Sequence, residues 1–103
     1  MLNPKLVLTL YISHSNPELD KLMQQLREAL IDEYDGSGDF ELNVINVLKM
    51  PEKAVANDVF VTPTLVREVP EPVIKVLGTL AKTKEIITAI TSNFGDEPET
   101  LVV

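Results

Sequence analysis

The chain has no cysteine and no tryptophan, and only one histidine, among its 103 residues. Without cysteine there is no disulfide, no thiolate metal site and no thiol redox chemistry. A lone histidine is too few nitrogen ligands for a zinc centre. Positive charge is also scarce: nine Lys and Arg stand against sixteen Asp and Glu, for a net charge of -7. That balance argues against nucleic acid or an anionic lipid surface as partner. No apolar run approaches the roughly 20 residues of a membrane-spanning helix. The start, "MLNPKLVLTLYI", lacks the basic segment and small-residue cleavage site of a signal peptide. The expectation is a cytoplasmic protein with no metal and no cofactor.

Repeats, linkers and low-complexity segments are absent as well, and the length suits a single domain with a core of modest depth. Residues 1–95 are read as that domain. Residues 96–103, "DEPETLVV", are read as a flexible acidic tail, with Asp96, Glu97 and Glu99 around Pro98.

"LVLTLYI" places Leu6, Leu8, Leu10 and Ile12 on one face and Val7 and Tyr11 on the other, the pattern of a central strand covered on both sides. Asn16 then offers an N-cap and Pro17 a first helical residue. Leu19, Leu22, Met23, Leu26, Leu30, Ile31 and Tyr34 follow at helical spacing, and Gly36 is a natural stop. Phe40 to Leu48 reads as a second strand, which implies a right-handed βαβ unit. A short helix is expected from Pro51, with Ala54 and Val55 inward. "TLVREV" and "VIKVL" then form a hairpin across "PEP", and "TKEIITAITSNF" a last helix with Ile87, Ile90 and Phe94 on one stripe, stopped by Gly95.

Three prolines, Pro63, Pro70 and Pro72, interrupt the otherwise strand-like run "VFVTPTLVREVPEPVIKVLG", whose apolar flanks Val59-Phe60-Val61, Leu65-Val66 and Val73-Ile74 suit buried strands. The order βαβαββα is the thioredoxin-like layout. That layout uses a proline, often after a cis peptide, just before its third strand, where Pro63 stands. Its redox cysteines would lie between the first strand and helix, and that place holds Ser13-His14-Ser15-Asn16. A serine hydroxyl there is far too weak an acid for thiol chemistry. Adjacent loop residues such as Ser13 and His14 rarely converge as nucleophile and base.

The motifs "LTLYI" with "SNP", "LNVINVLKMPE" and "VTPTLVREVPEPVIKVLG" occur in the order and spacing of the KaiB family, and the chain resembles that family from about Leu6 to Phe94. The resemblance implies a non-enzymatic clock protein with a thioredoxin-like fold that binds a KaiC-type ATPase. It also implies a homo-oligomer, dimer or tetramer, with a second packing in which the C-terminal half is rearranged. Pro63, Pro70, Pro72, Gly78, Ala89 and Thr91 would govern that rearrangement, and "IITAIT" suits either a strand or a helix. The same domain also begins KaiC-binding sensor kinases, a further partner class; no kinase segment follows here, so the standalone protein is the better match.

The family's partner-facing surface commonly carries a lysine where this chain has Asp58, an arginine pair where it has Ile74 and Lys75, and a lysine where it has Asn43. These four are the candidate binding residues. The loss of cations weakens attraction to an acidic partner. The alternatives are a KaiC-independent stress-response protein of the same family, or a cysteine-less transferase that uses Ser13 or Ser15.

Overall fold

In the computed structural model, residues 5–15, 17–34, 40–78, 82–92 and 99–102 are described. Leu6–Ile12 forms β1, which lies between two other strands and alternates as its sequence demands. Leu6, Leu8, Leu10 and Ile12 are buried on one face, and Tyr11 is fully buried on the other. α1, Pro17–Tyr34, covers the leucine face with Leu22, Leu26 and Leu30. Ile31 does not join them and is 51% exposed. At 3.6 residues per turn it lies about 140° around the helix from Leu26, beyond the reach of the sheet. The expected Asn16 cap and Gly36 stop, and the side chain of Tyr34, lie outside the described residues.

β2, Phe40–Asn46, runs parallel to β1 in the register Leu8↔Leu42 and Thr9↔Asn43. It ends two residues before the expected Leu48. The backbone N–H of Leu48 donates to Asn46 Oδ1 at 2.9 Å, and those of Lys49 and Met50 donate to the Asn46 carbonyl. Such a side-chain turn offers the backbone an alternative to the sheet. α2, Pro51–Ala56, begins at its proline as expected.

β3, Thr64–Val69, is antiparallel to β1, and β4, Ile74–Leu77, is antiparallel to β3. The peptides preceding Pro63, Pro70 and Pro72 are all cis, and Gly78 turns the chain after β4 with φ 112. α3, Thr83–Ser92, returns over the leucine face. Its inward stripe is Ile86, Ala89 and Ile90, with Ile87 half-buried beside it; Phe94 and Gly95 lie outside the described residues. The thioredoxin-like βαβαββα order is therefore present.

One element was not expected. Within the stretch read as a frayed tail, Glu99–Val102 forms β5 and pairs in parallel with β4. The sheet order is β2-β1-β3-β4-β5. The three acidic residues of the tail favour solvation, but "ETLV" ends in apolar residues and β4 has an open edge to receive them.

Candidate functional site

The sheet is covered unequally. α1 and α3 close one face. On the other face Ala54 of α2 and Val59 are buried with Tyr11 and Val66, and Ile45, Val47 and Val73 are packed partly against them. A six-residue helix can press only one residue directly onto the sheet, and that residue is Ala54. Val55 was expected to face inward, but it lies about 100° further round and is 72% exposed.

The end of α2 is fixed by a complete capping arrangement. The Val59 N–H donates to the Ala54 carbonyl at 2.9 Å and the Asp58 N–H to the Val55 carbonyl at 3.2 Å. Asp58 has the left-handed φ of 55. This is the Schellman pattern, with Ala54 and Val59 making its hydrophobic contact and an aspartate where glycine is usual. Asp and Asn tolerate that conformation better than branched residues. In urea denaturation, Asp58→Asn is expected to lie within about 0.5 kcal/mol of the parent, whereas Asp58→Val loses about 1–2 kcal/mol.

Two side chains pin this cap to the sheet. Asn57 Nδ2 donates to the Tyr11 hydroxyl at 2.9 Å, and Lys75 Nζ donates to the Asp58 carbonyl at 3.1 Å. The lysine also brings positive charge to the negative end of the helix. Burial raises the Tyr11 pKa above its ordinary 10.0, and the neighbouring Glu68 carboxylate raises it further, against a smaller opposing effect of the Asn57 bond. A raised folded-state pKa means that the unfolded chain releases this proton first as pH rises. Stability from Tyr11 is therefore intact below pH 10 and falls as pH climbs through the folded value. Tyr11→Phe is expected to flatten the alkaline limb of a stability-versus-pH curve relative to the parent.

Three of the four candidate residues share this face. Thr9 pairs with Asn43 on one side and Val66 on the other, and Val66 pairs with Lys75. Directly paired residues point to the same face. Asn43 and Lys75 thus lie in one row on the α2 side, about 14 Å apart at the usual strand spacing, and Asp58 sits against Lys75. Asn43 Nδ2 donates to Glu41 Oε2 at 2.9 Å. Ile74 is a correction: it points to the opposite face and is completely buried in the leucine core, so it presents no side chain to a partner. Of the candidate conformational residues, Ala89 is buried on α3, and the Thr91 hydroxyl donates to the Ile87 carbonyl at 2.6 Å.

The surface around α2 carries side chains that the sequence reading placed inside. Phe60 and Val61 were read with Val59 as the flank of a buried strand. Only Val59 is buried; Phe60 is 84% exposed, and Val61 is exposed as well. Leu48 is 75% exposed and Met50 is exposed. Together with Val55 these make five of the eight exposed large hydrophobics among the described residues, all between positions 48 and 61. The cap at Asn57-Asp58 leaves Phe60 and Val61 in a connection outside the strands, which the apolar run alone does not reveal.

At the end of β1 the Thr62 hydroxyl donates to Ser13 Oγ at 3.1 Å, and Ser13 Oγ lies 3.2 Å from His14 Nδ1. The first bond ties the β1–α1 loop to the segment before β3, and the second is an exposed contact within the loop that does bring Ser13 and His14 together. Among the described residues no cluster of three His, Cys, Asp or Glu side chains could hold a metal ion, and no helix is long and apolar enough to cross a membrane.

The chain resembles the N-terminal domain of SasA from Synechococcus elongatus, with a TM-score of 0.67 and 22% identity over 93% of this chain and 92% of that one, a likeness of fold. It is 32% identical over 94 residues to the circadian clock oscillator protein KaiB of Prochlorococcus marinus (strain MIT 9312), covering 91% of this chain and 88% of that protein. It is 33% identical over 84 residues to the protein of the same name from Trichodesmium erythraeum (strain IMS101), covering 82% and 79%. Residues 9–91 match the model of the KaiB domain, and the chain belongs to the KaiB family.

Proposed function

We propose that this chain is a non-enzymatic regulatory module that binds a KaiC-type ATPase through the apolar strip around α2, in a clock or a clock-derived timing or stress-adaptation system. The partner's ATP cycle supplies the chemistry. The observation that carries this reading is the concentration of exposed Leu48, Val55 and Phe60 beside α2, on a domain whose other large apolar side chains are mostly buried among the described residues. Exposed apolar side chains concentrated in one short stretch of chain among polar residues mark an interaction surface. Lys49, Glu52, Lys53 and Asp58, all exposed, supply the rim.

Family membership favours a KaiC-type partner over an unrelated one. With Asn43, Asp58 and buried Ile74 standing where the family commonly has cations, contact here is mainly apolar and association is only weakly steered by charge. The test is co-purification with a purified KaiC-type ATPase in the presence of ATP. Retention at micromolar concentration is expected, with little dependence on salt. Asp58→Lys is expected to raise the association rate roughly tenfold at low salt if the partner surface is acidic. Absence of binding by both the parent and Asp58→Lys would count against the reading. So would glutathione-transferase activity that disappears in Ser13→Ala or Ser15→Ala.

A further inference from the structure

Arg67 is the only completely buried charged side chain among the described residues. It lies on β3, on the face covered by α1 and α3, between its register partners Leu8 and Ile74. An arginine stays protonated in a protein, so its charge must be satisfied by partners. Arg67 Nη1 donates to the Ile90 carbonyl at 3.0 Å and Nη2 to the Pro72 carbonyl at 2.8 Å. Ile90 lies in the last turn of α3, where the final carbonyls have no partner within the helix and the helix dipole is negative. α3 supplies no basic residue of its own there. The cation that closes this end of α3 therefore comes from β3.

α3 needs that closure. It is ten residues long, and Ile86, Ile87, Thr88, Ile90 and Thr91 are all β-branched, which lowers helix propensity. The hydroxyls of Thr88 and Thr91 donate back to the carbonyls of Lys84 and Ile87, a bond that weakens helices slightly. A helix this short and this branched is marginal without tertiary support. Its N-terminal end is held by an exposed bond from the Thr83 hydroxyl to Gln25 of α1, whereas its C-terminal end is held by the buried guanidinium.

We infer that Arg67 is a latch, whose guanidinium fastens the C-terminal end of α3 and the Pro70–Pro72 turn to β3, so that these two segments open together when it is removed while β1, α1 and β2 remain folded. The inference stands apart from the partner reading above, since it concerns the opposite face of the sheet.

The experiment is residue-resolved hydrogen exchange on the full chain, comparing the parent with Arg67→Met, Arg67→Lys and the double variant Arg67→Met/Thr88→Ala. In Arg67→Met, protection of the Ile86–Ser92 amides and of the β4 amides that follow the turn is expected to fall roughly 100-fold, the loss of the charge-assisted bonds to Ile90 and Pro72. Protection in β1, α1 and β2 is expected to stay within about threefold. Arg67→Lys keeps the cation and one bond and is expected to fall between the two. Thr88→Ala raises helix propensity on the exposed face and is expected to restore part of the α3 protection. Unchanged protection of α3 in Arg67→Met would overturn the inference. Loss of protection in equal measure across all elements would also overturn it, since the two segments would then be part of one global unit.

Discussion

Replacing Phe60 with aspartate is expected to weaken binding of a KaiC-type ATPase by about 100-fold while leaving the urea midpoint within experimental error. The two halves of this expectation come from one observation, the 84% exposure of the ring. An exposed residue away from the core contributes little to folding, typically within about 0.5 kcal/mol either way. At an interface the same ring becomes the kind of side chain that dominates binding, because aromatic anchors bury much area at low entropic cost. A carboxylate in its place would have to be desolvated without a partner. It would also stand two residues from Asp58, adding to the negative charge at that corner. Calorimetry and urea denaturation on the same preparations separate the effects. A large fall in stability would show that Phe60 belongs to the core, and unchanged affinity would remove it from the partner surface.

The second large effect lies on α1. Leu26→Ala is expected to cost about 3–5 kcal/mol, the range for deleting a fully buried leucine and leaving a cavity. Leu26 is completely buried in the main core, which it shares with residues of β1 and α3. Domains of this size have roughly 5–15 kcal/mol of total stability, so the variant loses a large share of it. At about 4–8 °C per kcal/mol, the midpoint falls by more than about 12 °C. Ile31→Ala, five positions along the same helix, is expected to change stability by less than about 0.5 kcal/mol. Thermal denaturation of the pair distinguishes burial from hydrophobicity alone. Equal losses in the two variants would mean that Ile31 is covered, for instance by a second copy of the chain.

The contrast between Leu26 and Ile31 shows where sequence reasoning worked and where it stopped. The strands and helices with strong periodicity, β1, α1 and the β3–β4 hairpin, are legible because each pattern carries its own burial: Leu6, Leu8, Leu10 and Ile12 alternate, and Leu22, Leu26 and Leu30 repeat at helical spacing. Burial of Phe60 or Val55 is different, since it depends on whether another element arrives to cover them, and a six-residue helix covers little. β5 was hidden for the same reason, as a strand exists only with an edge to pair against. Ile74 and Lys75 carry a sharper lesson. Neighbours in a strand point to opposite faces, so they could never have served together on one surface. The β3–β4 register decides which faces outward, and a shift of one residue would exchange them. Arg67 could be read as a charge in a strand, but not as a buried one, because its partners Pro72 and Ile90 come from two other segments.

The central claim, that partner binding uses the face around α2, is tested most directly by titrating isotopically labelled protein with a KaiC-type ATPase and ATP while following backbone and methyl NMR signals. The expected result is loss of signal concentrated on Leu48, Met50, Val55, Phe60 and Val61 and spreading to Asp58 and Lys75, with α1 and Ile74 unaffected. Signal loss centred on the exposed side of α1, or unperturbed spectra at micromolar concentrations of both proteins, would contradict it.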